Sequence, residues 1–271
     1  METRKERERE FHDRLRSSIA LEGIPTGKEL LKYMASREVR FHPISRRSYS
    51  YVETILKQRA PGMRTLDYCC GLGDNSLFLA KNGAIVDGID ISDVSVEKSE
   101  QRARIESVTE NTTFHVMDAE NLTFQDDTFD VAVAHGCLHH LDYEKAMQQL
   151  SRVIKHDGFV ICTEAVRYNP IIHRYRKLTP HLRTEWEVDN LLGMKHLRIS
   201  EKYFAKIDVR FFNLATLACI PFRNTFVFNP LLNVLEKIDS VLLEIPVLKW
   251  MAWQMVIIFE KPNSVGVGQP R

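Results

Sequence analysis

From Arg64 onward, short apolar runs alternate with segments of helical period. RTLDY (64–68), AIVDGID (84–90), TTFHVM (112–117), TFDVAVAH (128–135) and GFVICTE (158–164) are rich in Val, Ile and Phe with little polar interruption. Runs of that kind predict strands buried on both faces. Between them, DNSLFLAKNG (74–83), SDVSVEKSEQRARIES (92–107) and DYEKAMQQLSRVIK (142–155) place apolar residues three or four apart, the period of a helix packed on one side. Strands that alternate with helices predict crossover connections and a parallel, doubly wound α/β sheet. IDVRFFNL (207–214) and AWQMVIIFE (252–260) predict two further strands, separated by an insertion.

Ahead of this core, FHDRL (11–15), KELLKYMASRE (28–38) and YSYVETILKQR (49–59) predict helices divided by Pro25, Gly27 and Pro43. The leading METRKERERE mixes both charges and reads as a solvated helix end, without the apolar core of a signal peptide. The most apolar stretch, 241–259, contains Glu244, Pro246 and Lys249 and so predicts a core helix followed by a strand, with no stable membrane insertion. The divisions expected are a helical lid over 1–60, the α/β core over 61–165 and a cover over 166–206. C-terminal strands with a helical insertion follow over 207–262, then a loose tail over 263–271.

Composition narrows the class. Of 271 residues, 44% are hydrophobic and 27% charged, ordinary for a globular chain, and the formal net charge of +1 gives no bulk case for nucleic acid. Five cysteines, mostly in apolar runs, suit reduced thiols and a cytoplasmic setting better than disulfides.

The first strand runs into Asp67-Tyr68-Cys69-Cys70-Gly71-Leu72-Gly73-Asp74-Asn75. Glycines let backbone N–H groups approach a ligand, and the helix that follows adds a partly positive N-terminus. Asp67 precedes that loop, Asp90 ends the second strand, and Asp118 follows the third. In an open parallel sheet these are the ligand-facing ends. Three acids in this order can meet the amine, the ribose and the base of one nucleoside–amino-acid ligand, although each alone also fits a turn or helix cap. Cys69 and Cys70 lack a C-x-x-C partner and read as packing; no metal is expected.

LDYCCGLGDNSLFLAKNGAIVDGIDIS, MDAENLTFQDDTFDVAVAHGCLHHLD and LSRVIKHDGFVICTE together resemble the class I S-adenosylmethionine-dependent methyltransferases. The likeness is greatest to small-molecule enzymes of the ubiquinone/menaquinone type. That resemblance implies a Rossmann-like, mostly parallel seven-stranded sheet with an antiparallel last strand, and S-adenosyl-L-methionine as cofactor. It places Asp67, Gly71 and Gly73 at the methionine part, Asp90 at the ribose, Asp118 and Ala119 at the adenine, and His135 in the pocket wall. Asn75 and Ile91 are counted in the same pocket. The chain departs from the family at Cys69, which stands where the first glycine of the loop belongs.

His139, His140 and Glu164 are the candidate catalytic residues. A neutral histidine can take a proton from an O–H or N–H acceptor, and adjacent histidines cannot face the same way. AVRYNPIIHRYRKLTPHLRT (165–184) has no acid, and His173, Arg174, Arg176 and Arg183 are candidate contacts to an acceptor carrying carboxylate or phosphate. A solvated basic helix explains the same residues equally well. The expected reaction is methyl transfer to a small-molecule acceptor. The alternatives are an RNA or protein methyltransferase and a non-methylating ligand-binding relative. The insertion 215–251 is apolar enough to wall a pocket, to form a homodimer or to touch a membrane.

Overall fold

The computed structural model describes residues 3–17, 42–179 and 184–263. The helix expected over 28–38, Arg183 and most of the expected tail lie outside the described residues. Helices α1 (Arg4–Ser17) and α2 (Arg46–Arg59) precede the core. The core runs β1 (Arg64–Tyr68), α3 (Asp74–Lys81), β2 (Ile85–Asp90), α4 (Asp93–Ile105), β3 (Thr112–Val116), β4 (Phe129–His135), α5 (Tyr143–Val153) and β5 (Ile154–Ala165). Three short helices follow, α6 (Pro170–Leu178), α7 (Glu185–Asp189) and α8 (Met194–Ser200), then β6 (Phe204–Phe212), α9 (Phe228–Leu242) and β7 (Gln254–Pro262).

The seven strands form one sheet in the order β3-β2-β1-β4-β5-β7-β6. β1 to β5 run parallel to one another, and β7 runs antiparallel between β5 and β6. The chain winds outward from β1 through β2 to β3, then crosses back to β4 on the other side of β1. That reversal opens a crevice at the carboxyl ends of β1 and β4. Period-two alternation sends Ala132, Ala134, Val160, Cys162, Ile257 and Phe259 to one face of the sheet. Val131, Val133, Phe159, Ile161, Val256 and Ile258 go to the other, against Leu56 of α2 and Leu77 of α3. Each fully buried Leu or Phe of these layers contributes about 2 kcal/mol. All five cysteines are free thiols.

One expectation is corrected. The stretch 241–253 is not a core helix: α9 lies mostly before it and ends at Leu242, and Pro246, which has no N–H to donate, stands in the turn that follows. A short 3₁₀ turn at Leu248–Met251 then leads into β7. The helix instead packs by Phe228 and Leu232 in a third apolar cluster with Ile44, Leu217 and Trp253.

Candidate functional site

The β1–α3 loop is shaped by left-handed backbone. Cys69 (φ 61°), Gly71 (φ 59°) and Gly73 (φ 77°) all adopt it. A side chain at Gly73 would also press Ser99, 3.1 Å from the place of its Cβ. Cys69 is the one residue of the three that bears a side chain in this strained region, where the family pattern supplies glycine. The Cys137 thiol beneath the loop donates to the Tyr68 carbonyl at 3.5 Å.

Each strand-end acid is held by backbone. Asp67 is buried and accepts from the Ser76 N–H (2.9 Å) and hydroxyl (2.6 Å), with Asn75 at 3.5 Å. Burial pushes its carboxyl up to about 6, against the pull of those hydrogen bonds. Asp90 accepts from the Gly71 N–H (2.9 Å) and the Ser92 N–H (3.0 Å), one on each oxygen. Asp118 accepts from the Glu120 N–H at 2.9 Å. Asp90, Ile91, Asp118, Ala119 and His135 line one open pocket of about 670 Å³, counting the space that runs out to solvent. His135 stacks on Tyr49 with ring centroids 5.1 Å apart and shares a 3.2 Å hydrogen bond with its hydroxyl.

Helix α1 closes that pocket with charge. Arg16 bonds both oxygens of Asp90 at 3.3 Å, Lys5 pairs with Asp118, and Arg4 pairs with the buried Glu120. The guanidinium of Arg16 is also the group that a Cβ on Gly71 would meet, at 3.3 Å. A cation therefore stands in the cradle beside the glycine loop. The expectation of a helical lid over 1–60 does not name its charged contacts; Lys5, Glu8, His12 and Arg16 of α1 line the pocket. The available signal was the spacing of Glu8, His12 and Arg16, four apart on one helix face.

The two neighbouring histidines lie ring against ring, with centroids 4.3 Å apart, but bond different carboxylates. His139 Nδ1 meets Glu164 Oε2 at 2.6 Å, while Glu164 Oε1 accepts from the Cys137 N–H (2.9 Å) and the Leu138 N–H (2.7 Å). Burial alone would raise the Glu164 carboxyl, but His139 and the Leu138 N–H outweigh it and hold it below the usual range. His140 turns into the pocket, and its Nδ1 meets Glu8 Oε2 at 2.9 Å. Burial would lower the His140 imidazole; the hydrogen bond and charge of Glu8 prevail and raise it. The other oxygen of Glu8 accepts from the Thr184 hydroxyl. His12 packs edge-on against His140, and burial with the nearby Arg16 pushes it down to about 4.

Ligand-type atoms of Glu8, His12 and His140 lie within 4.8 Å of one another, as do those of His139, His140 and Glu187. We read both as acid–base clusters: His140 Nδ1 bonds Glu8 and His139 Nδ1 bonds Glu164, while His12 Nε2 stands 3.8 Å from Glu8 and its buried Nδ1 has no hydrogen-bond partner among the described residues. Of the cover residues, Arg176 is buried and pairs with Glu187 at 3.4 Å, Arg174 is exposed, and His173 is half-buried. None of these three lines the pocket.

Known proteins share part of this chain. Residues 66–162 match the profile of a methyltransferase domain family. Over 107 residues the chain is 36% identical to demethylmenaquinone methyltransferase of Staphylococcus aureus (strain MRSA252), covering 38% of this chain and 43% of that one. It is 31% identical over 107 residues to methyltransferase GfsG of Streptomyces halstedii, covering 39% and 38%. The chain thus spans less than half the length of these curated relatives. Among solved structures, it resembles phosphoethanolamine N-methyltransferase 2 of Haemonchus contortus, in complex with phosphomonomethylethanolamine and S-adenosylhomocysteine. The TM-score is 0.56 at 19% identity, over 78% of this chain and 52% of that one. It also resembles the [4+2]-cyclase SpnF, with a TM-score of 0.53 at 19% identity over 79% and 81%. The core therefore carries a methyltransferase domain with the class I Rossmann-like fold.

Proposed function

We propose that the protein transfers a methyl group from S-adenosylmethionine to a small-molecule acceptor, with His140 receiving the acceptor's proton. The observation that carries this reading is the convergence of Asp90 and Asp118 on one pocket beside the glycine loop. The residues present fit the cofactor. Asp90 spends one lone pair of each oxygen on a backbone N–H and offers the rest, now directed at Arg16, to the two hydroxyls of a ribose. Asp118 offers an acceptor to an exocyclic amine. The cradle by Gly71 suits a carboxylate, with Arg16 as its counter-charge.

When bound, S-adenosylmethionine supplies an electrophilic methyl group on a sulfonium sulfur. The chain's own work is alignment, exclusion of water and proton removal. Helix α1 roofs the pocket with Glu8, His12 and Arg16. Glu8 orients His140 and raises its basicity, which suits it to take a proton from an O–H or N–H acceptor near pH 7. Glu164 keeps His139 and the turn at 137–138 in place. Arg176 is committed to Glu187, so an anionic acceptor is no part of the proposal. A net charge of +1 favours a small molecule over RNA.

The test supplies labelled S-adenosylmethionine with a metabolite extract, bulk RNA and bulk protein in parallel. We expect label in a small-molecule product, and His140→Ala should lower that transfer about 10²-fold or more while changing cofactor affinity little. Label confined to RNA or protein, or none at all, overturns the reading. SpnF shows that this fold also hosts a cyclase, so a chain that binds the cofactor without transferring its methyl group would belong to the non-methylating alternative.

A further inference from the structure

Helix α9 has two apolar sides and only one is covered. Its inner side buries Phe228 and Leu232, and the buried Asp239 accepts from the N–H groups of Leu214, Ala215 and Thr216. Its outer side carries Val234, Ile238, Val241 and Ile245, exposed by 55%, 41%, 66% and 43%. Past Leu242 the chain stays wound, with the Glu244 and Ile245 N–H groups bonded to the Val241 and Leu242 carbonyls. The four outer residues are thus spaced four, three and four apart along one helical face. That is the spacing of a seam between two helices, and it is narrower than the stripe a helix lays against a globular core. Phe226 and Val247, 93% and 75% exposed, stand at the two ends.

Charge identifies the occupant. Lys237 and Glu244 are both exposed and flank the seam on the same side, seven residues apart. Among the described residues neither has an ion-pair partner. A two-fold axis across the helix near residues 239 and 240 makes the second copy of α9 antiparallel. Val234 then faces the partner's Ile245, and Ile238 faces the partner's Val241. The same operation sets Lys237 against the partner's Glu244, and Glu244 against the partner's Lys237. A parallel pair does not bring these charges together. A membrane surface would call for a row of cations along the stripe, and one cation with one anion is not that.

We propose that the protein forms a two-fold dimer through antiparallel packing of α9 on α9 of a second copy. The seam is self-complementary in shape and in charge, as a closed two-fold interface requires. It lies on the insertion and is independent of the reading of the pocket.

The test is sedimentation equilibrium of the full chain. The wild type should have the mass of a dimer, and Val241→Glu the mass of a monomer that still unfolds cooperatively, since Val241 is exposed in the single chain. Lys237→Glu should weaken association about tenfold, because two exposed ion pairs become two repulsions, and Lys237→Glu with Glu244→Lys should recover most of it. A wild type that stays monomeric at its highest soluble concentration overturns the proposal. So does a Val241→Glu variant that remains dimeric, a charge swap that restores nothing, or a monomer that instead floats with phosphatidylcholine vesicles.

Discussion

His139 and His140 are adjacent, and each holds a carboxylate, yet the two pairs belong to different parts of the molecule. Glu164 comes from the end of a central strand and is fixed by two backbone N–H groups besides His139. Glu8 comes from α1 and is held by side chains alone, His140 and Thr184. The first pair is built into the sheet and shapes the turn after β4. The second is assembled only when α1 lies over the pocket. The same contrast runs across the whole site: the acids at the strand ends are preset by backbone, and every contact of α1 with them is a side-chain ion pair. The sheet fixes its acids through backbone, and α1 meets them through side chains.

The sharpest way to break this contrast is to remove each carboxylate in turn. Glu164→Ala should cost about 3–5 kcal/mol of stability, because it strands two buried N–H groups and a buried histidine. Glu8→Ala, which removes a carboxylate held by side chains alone, should cost about 1 kcal/mol. Urea unfolding measures both, and equal losses would abolish the distinction. A smaller effect tests the preset loop itself. Cys69→Gly relieves a left-handed side chain and should stabilise the protein by up to about 1 kcal/mol, read from the unfolding midpoint. A loss of stability instead would mean that the packing of Cys69 outweighs its strain.

How much of this was legible in the sequence follows from the same physics. Strands buried on both faces, such as TFDVAVAH and GFVICTE, are uninterrupted apolar runs and show themselves; so do the acids that end them. The register of the loop at Cys69 could be read from its neighbours Gly71 and Gly73. A lid over 1–60 was expected, but not the partners of α1: it has no apolar stripe, and its burial comes from charges matched to acids more than seventy residues away. Single-chain patterning carries no signal of such long-range pairing. The basic run after β5 left two readings open, ligand contact and solvated helix, for the opposite reason. Its charges fit either, and the partners were not in the pattern: Arg176 pairs with Glu187 of α7, and Arg174 faces solvent. Residues 241–253 were apolar enough to suggest a core helix, but Pro246 and the end of α9 at Leu242 leave Ile245 and Val247 on the surface.

The central claim is that the preset acids form the site of a nucleoside ligand, with Asp90 on its ribose. Calorimetric titration of S-adenosylmethionine into the wild type and into Asp90→Ala tests it most directly. Two charge-assisted hydrogen bonds are at stake, so the variant should bind about 100-fold more weakly or not measurably, with its unfolding still cooperative. Equal affinity in the two proteins, or a wild type that takes up no cofactor at millimolar concentration, would contradict it.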